Sequence, residues 1–217
     1  MKNFQVAIDG PAGSGKSTIS KLVAKELKFQ YLDTGAMYRA ITYQALALEI
    51  NLEEDNYHFI EELKLEYKDD KMFLNGKDVS LEIRKPNVTN SVSTVAKNRL
   101  VRKKMKELQQ KTASLGQVIL DGRDIGSNVL PNANLKVFLT ATIECRAKRR
   151  YLENQASGIK SNLEELLEEI ALRDHTDASR EYAPLKKADD AVTIDTTELS
   201  IEEVCAKIIK LIHERMF

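Results

Sequence analysis

The sequence predicts an α/β protein: a mostly parallel sheet flanked by helices, carrying a small inserted α+β domain and a short lid. Three observations point there. Residues 9–18, Asp-Gly-Pro-Ala-Gly-Ser-Gly-Lys-Ser-Thr, follow the apolar run Phe4 to Ile8 and match the G-x-x-x-x-G-K-[ST] pattern of a phosphate-binding loop. Isolated apolar runs alternate with helical patterns along most of the chain, as in sheets covered on both faces. Near Asn51 the composition turns charged and briefly alternating, and Asn75-Gly76 supplies a strong local hairpin signal.

Phe4–Asp9 is expected to be the first buried strand. Ser17–Leu27 is the helix after the loop, with Ile19, Leu22, Val23, Ala24 and Leu27 on one face. Phe29–Leu32 makes a second short strand and leads through Asp33-Thr-Gly-Ala-Met-Tyr-Arg39 into a helix carrying Met37, Ile41, Ala45 and Leu48. Residues 51–83 form the predicted insert: a helix, then a small antiparallel sheet turning at Asp69-Asp70 and Asn75-Gly76, with Val79 and Leu81 in its alternation. Strands this short need a surface to lean on. Helices at Lys85–Ala96 and Arg99–Leu115 follow, the second apolar at Leu100, Val101, Met105 and Leu108. Strands are expected at Gln117–Asp121, Leu135–Leu139 and Ala191–Ile194, and helices at Ile143–Glu153, Asn162–Leu172 and Ile201–Met216. Ser200 and Glu203 make a capping box for the last helix. The core is therefore residues 1–50 and 84–217, with the lid near residues 150–162.

Balance of 33 basic against 33 acidic side chains gives a formal net charge of zero, so no global field draws the chain to nucleic acid or an anionic membrane. Cys145 and Cys205 have no cysteine neighbours and suggest plain thiols, not a disulfide framework. His58, His175 and His213 are dispersed and make no metal pattern. No apolar leader or membrane-length run is visible, which suits the cytoplasm. The basic stretch from Lys97 to Lys111 lacks the interleaved aromatics of a nucleic-acid stacking platform and is expected to be a solvated face, with Arg102 turned toward the site.

The nucleotide-binding loop is Gly10, Pro11, Ala12, Gly13, Ser14, Gly15, Lys16, Ser17 and Thr18, and in it backbone N–H groups from Ala12 to Ser17 can surround the β-phosphate. Lys16 can bridge the β- and γ-phosphates of ATP, and the Ser17 hydroxyl can coordinate Mg²⁺. The chain lacks the guanine-reading Asn-Lys-x-Asp and the Asp-x-x-Gly segment of a GTPase. It has instead arginines near predicted element ends: Arg39, Arg123, Arg146, Arg149, Arg150, Arg173 and Arg180. Arginine forks clamp phosphoryl oxygens, so one donor loop with many arginines suggests a phosphoryl donor and a phosphorylated acceptor. Asp33 and Arg39 stand where open α/β sheets bind ligands. Asp121, at a strand end, can orient Mg²⁺ or its waters. Arg123 and Asp124 offer a donor and an acceptor that can read cytosine. Arg173, Asp177 and Arg180 fall on one face if they share a helix. Arg146, Arg149 and Arg150 can belong to a lid that covers ATP and excludes water. A kinase for another small molecule (UMP or shikimate, for example) and an ATP-binding module that contacts RNA through Lys97–Lys111 stay open on these residues alone.

Together the motifs resemble those of bacterial cytidylate kinases over essentially the whole chain. The matches are Ile8–Thr18, Asp33–Arg39, Asp121-Gly-Arg-Asp124, and Arg173-Asp-x-x-Asp177-x-x-Arg180 followed by Ala183-Pro184-Leu185. The resemblance implies a P-loop kinase core, an acceptor-binding insert and a lid in a usually monomeric enzyme that uses ATP and Mg²⁺ to phosphorylate CMP or dCMP. It assigns Ser93, Arg102, Arg123 and Asp124 to cytosine or the acceptor phosphate. Asp33, Tyr38, Arg39, Arg173, Asp177 and Arg180 fall to the sugar and phosphate, with Asp177 at the pentose. Lys16, Arg123, Arg173 and Arg180 carry the catalysis, and Arg150 joins the ATP contacts. His175-Thr176 stands where some members have a further arginine.

Overall fold

A computed structural model describes residues 3–216. Met1 and Lys2, where the N-terminal reading begins, lie outside the described residues, as does Phe217. The chain divides into two compact units, Met1–Tyr31 with Leu115–Phe217, and Leu32–Ser114. The expected insert, residues 51–83, falls inside the second unit, which also takes in the helices on either side of it.

In the first unit, β1 (Gln5–Asp9) pairs in parallel with β6 (Val118–Gly122) and with β7 (Leu135–Thr140). On its far side β7 pairs in parallel with β8 (Val192–Asp195), and β2 (Gln30–Asp33) is the opposite edge strand, giving the order β2-β6-β1-β7-β8. All five residues of β6 are buried, as are all of β1 except Gln5. Central strands of a parallel sheet read this way because helices cover both faces. Helices α1 (Lys16–Leu27) and α7 (Ile201–Met216) share a core with the sheet in which Ile8, Val23, Val137 and Ile208 are fully or nearly fully buried. α5 (Ile143–Ala156) and α6 (Leu163–Ala178) pack on each other around Ala147, Leu166 and Ile170. The capping box forms: Glu203 Oε2 accepts from Ser200 N at 2.8 Å, and Ser200 Oγ from Glu203 N at 3.2 Å.

Two expectations for this unit change. Leu22 is 44% exposed: at 100° per residue, the buried Lys16, Ile19, Ser20, Val23 and Ala24 share one arc and Leu22 falls outside it. α6 runs on to Ala178 instead of ending at Leu172, so Arg173 and Asp177 are helical while Arg180 follows the C-cap, Ser179.

The second unit holds α2 (Thr34–Ala47), a sheet of β3 (Leu65–Lys68), β4 (Lys71–Leu74) and β5 (Lys77–Asp78), then α3 (Pro86–Val95) and α4 (Arg99–Ala113). Both hairpins turn as anticipated. Asp69 and Asp70 have φ of 50° and 62°, Asn75 and Gly76 of 50° and 81°, the doubly positive pair that matches strand twist. Met72 and Leu74 bury the inner face of β4, which leans on α2. The helix expected at the start of the insert is absent, and a single 3-10 turn, His58–Glu61, stands there. Asn51 accepts from Glu53 N at 3.2 Å and donates to Glu54 at 2.9 Å, a local bonding pattern that competes with helix. Leu48, Leu81 and Leu100 were expected inward and are exposed. On α4 the buried side is Val101, Met105 and Ala113, together with the polar Arg102 and Gln109. Among the described residues, no helix is long and apolar enough to cross a membrane.

A Cβ added at Gly76 would meet nothing within 4 Å, so Gly76→Ala isolates the backbone cost of a left-handed residue. Urea unfolding should show a loss of about 1–2 kcal/mol; no loss would contradict the turn geometry.

Candidate active site

The loop begins where β1 ends. Gly10 has φ 151°, and a Cβ there would lie 2.0 Å from the Leu139 carbonyl oxygen, so a side chain at this position would collide with β7. Gly15, in left-handed geometry, is the N-cap of α1, which has no side-chain cap and no acidic residue in its first turn. Its first N–H groups and the positive end of its dipole are thus left to an anion. The loop is braced from outside. Ala12 O accepts from Arg146 Nη1 at 3.1 Å, and Ser14 O from Thr196 Oγ1 at 3.3 Å. Because a peptide is planar and trans, holding those carbonyls turns the N–H groups of Gly13 and Gly15 the opposite way.

Lys16 is 5% exposed and its Nζ donates to Pro11 O at 2.7 Å. Burial pushes its pKa well below the ordinary lysine range, and Arg123 and Arg173 push the same way against Asp121 and Asp9. Ser17 Oγ donates to Asp121 Oδ2 at 2.8 Å, while Asp121 Oδ1 accepts from Tyr31 Oη at 2.7 Å. A hydroxyl beside a carboxylate is the hard-oxygen pair that suits Mg²⁺, so the residues present fit that ion. Among the described residues no cluster of three or more His, Cys, Asp or Glu side chains could hold a metal alone.

Beyond β6 stand Arg123 and Asp124. Arg123 Nε donates to Asp177 Oδ2 at 2.9 Å, and Arg180 Nη2 donates to Asp177 Oδ1. Burial pushes the Asp177 carboxyl up, but Arg123, Arg180 and Arg173 outweigh it and hold it below the ordinary aspartate range. Buried Asp124 accepts from Asn128 Nδ2 at 2.9 Å and precedes a π-helical turn, Ile125–Val129. The arginines of α5 differ in their surroundings. Arg146 is buried, bonded to Ala141 O at 3.1 Å and paired with Asp174 at 2.6 Å. Arg149 donates to Thr196 at 2.9 and 2.6 Å. Arg150 is half-buried and pairs only loosely with Glu153, at 3.4 Å.

The second unit positions its own set. Asp33 caps α2, accepting from Ala36 N at 2.7 Å, and pairs with Arg39 at 3.2 Å. The buried Nε of Arg39 has no hydrogen-bond partner among the described residues. Arg102 is 3% exposed, 5.6 Å from the centre of the Tyr38 ring, and donates to Ala96 O at 3.2 Å. Ser93 is half-buried on α3.

Sequence reasoning did not single out Asp9, Tyr31 or Thr196, nor the π-helical turn. Each acts through a partner far along the chain, and no local spacing announces it; the one available signal was a charged residue closing an apolar strand at Asp9.

A sequence profile described as cytidylate kinase matches residues 6–214. The chain is 52% identical to a cytidylate kinase from Bacillus cytotoxicus, over 99% of this chain and 98% of that protein. It is 53% identical to one from Bacillus cereus, over 97% and 96%. Among solved structures, an uncharacterized protein from Eubacterium ventriosum shares the fold at a TM-score of 0.52 and 14% identity, covering 99% of this chain and all of that one. A shikimate kinase from Bacteroides thetaiotaomicron does so at 0.51 and 13%, covering 97% and 98%.

The Asp177 cluster has a pH signature. A carboxylate whose folded pKa is depressed contributes stability above its unfolded pKa and loses it as pH falls through the folded value. Wild type should therefore be more stable than Asp177→Asn at pH 7 in urea unfolding, with the gap shrinking below about pH 4. A gap independent of pH would contradict the electrostatic account.

Proposed function

The chain belongs to the cytidylate kinase family, and from that premise we infer that it transfers the γ-phosphate of ATP to CMP or dCMP, releasing ADP and CDP or dCDP. The observation that carries this reading is the cationic crowd at the donor loop. Lys16, Arg123 and Arg173 lie close enough to lower the proton affinity of Lys16, and an uncapped helix start adds to the positive field. Cations gathered beside an uncapped helix start suit a polyanion.

In this reading the N–H groups from Ala12 to Ser17 hold the β-phosphate and Lys16 bridges β and γ. Ser17 and Asp121 would hold Mg²⁺ or its waters, and the bound ion supplies neutralisation of the β- and γ-oxygens. Arg123, Arg173 and Arg180 stabilise charge on the phosphoryl group in flight, and Asp177 keeps Arg123 and Arg180 oriented, sparing them reorganisation. The acceptor phosphate is already ionised, so no protein base is needed. Asp124 and Arg123 read cytosine, and Asp177 meets the pentose, which admits dCMP. Asp33, Tyr38, Arg39, Ser93 and Arg102 we assign to the monophosphate on the family resemblance; the Nε of Arg39 is a donor available to an anion. Residues 51–83 serve as the acceptor-binding insert. Arg150 and residues 150–162, the end of α5 and the turn at Gly158 (φ 70°), serve as the lid. We take the enzyme to act as a monomer in the cytoplasm, without a nucleic-acid partner.

A coupled assay with ATP against CMP, dCMP, UMP, AMP and GMP should show CMP and dCMP preferred; equal or better turnover of UMP or AMP would contradict the reading. Asp124→Ala should lower kcat/KM for CMP by a factor of roughly 5 to 150, the loss of about 1–3 kcal/mol of base contact, with the KM for ATP nearly unchanged. Normal CMP kinetics in that variant would remove Asp124 from the site.

A further inference from the structure

Asp9 closes β1 with a carboxylate that is 3% exposed, and none of the roles above uses it. A buried charge on a central strand is costly unless something bonds it. Its oxygens are bonded evenly: Oδ1 accepts from Ile125 N at 2.7 Å and Oδ2 from Gly126 N at 2.7 Å. Those N–H groups open the π-helical turn Ile125–Val129, immediately after Arg123-Asp124. Asp124, at the N-cap position of that turn, makes no side-chain cap, so Asp9 caps it from another strand, satisfying donors that a helical start leaves over. The fit is close. A Cβ on Gly126 would stand 3.4 Å from Asp9 Oδ2 and 3.2 Å from Lys136 Cδ.

The backbone of Asp9 is held separately, between Gly122 of β6 and Phe138 of β7. Removing the side chain's grip therefore leaves Gly10 and the donor loop where they start. It frees the turn behind Arg123 and Asp124. We propose that Asp9 is a positioning residue for the monophosphate, fixing the Arg123-Asp124 segment to the end of the donor strand while ATP binding stays independent of its side chain. The proposal rests on the assignment of Asp124 and Arg123 to the monophosphate.

The charged neighbours of the carboxylate are Lys16, Asp124 and, through its stem against Gly126, Lys136. Burial pushes the Asp9 carboxyl up to about 7, with Asp124 adding to the rise and the two N–H bonds and Lys16 opposing it. A protonated carboxyl no longer offers two good acceptors, so the grip weakens as pH falls past that value.

The test is Asp9→Asn in the full chain, whose amide keeps one acceptor and turns an N–H₂ toward the other donor. CMP kinetics at saturating ATP and ATP kinetics at saturating CMP are measured from pH 5.5 to 8.5. At pH 8 the variant should lose tenfold or more in kcat/KM for CMP, with the KM for ATP within threefold of wild type. The wild-type to variant ratio for CMP, which cancels the titration of CMP itself, should shrink below pH 7. Equal losses toward both substrates, no loss in a folded variant, or a ratio independent of pH would overturn the positioning role. A wild type that cannot phosphorylate CMP would instead sink the functional reading. If Asp9→Asn does not fold, Asp9→Glu, which keeps the charge but displaces both oxygens from Ile125 N and Gly126 N, must give the same CMP-selective loss, and normal CMP kinetics there would overturn the proposal.

Discussion

Parallel pairing of β1 with β6, Ile8 opposite Asp121 and Asp9 opposite Gly122, is the constraint from which the rest of the first unit's site follows. It ends two strands at the same level and in the same direction. The loop that leaves β1 and the Asp121-Gly-Arg-Asp124 segment that leaves β6 must then run side by side. Ser17 meets Asp121 across more than a hundred residues of sequence, and Asp9 reaches the turn beyond Asp124. A slip of one residue would turn every side chain of the strand to the other face and separate both contacts.

Electrostatics then decides what the converged ends can hold. Cations gathered at one place repel one another, and Lys16 is depressed for that reason among others. Three buried carboxylates moderate the field by different means. Asp177 orients two guanidiniums, Asp121 holds a serine hydroxyl and a tyrosine hydroxyl, and Asp9 binds backbone only. None of them bonds Lys16 directly; its Nζ rests on Pro11 O. The lysine is tied instead to the loop that carries it, at Pro11 O and, more loosely, at Ser14 Oγ, 3.5 Å away.

Much of this was legible because it is local. Strand, glycine loop and helix at residues 4–27 announce themselves by order and type, and Asn75-Gly76 turns as its residues require. Asp33 and Ser200 sit at helix starts that their own neighbours define. What sequence did not yield is what depends on distant partners or on angle around a helix axis. Leu22, Leu48 and Leu100 were placed inward by hydrophobicity, yet burial falls where neighbouring elements cover the helix, and on α4 it takes Arg102 and Gln109 in. Arg146 looked like a lid arm beside Arg149 and Arg150; it is a brace, because α5 meets the loop at Gly13 and brings Arg146 to Ala12. The π-helical turn has no sequence signature, and the carboxylate that caps its start comes from Asp9 on another strand.

The central claim is that strand register makes Ser17 and Asp121 one cation-holding unit. A double-mutant cycle with Ser17→Ala and Asp121→Asn, reading the Mg²⁺ concentration for half-maximal phosphorylation of CMP, tests it most directly. If the two side chains act together, each substitution raises that concentration and the double variant is little worse than the poorer single one. Effects that simply multiply would show two independent residues and contradict the account.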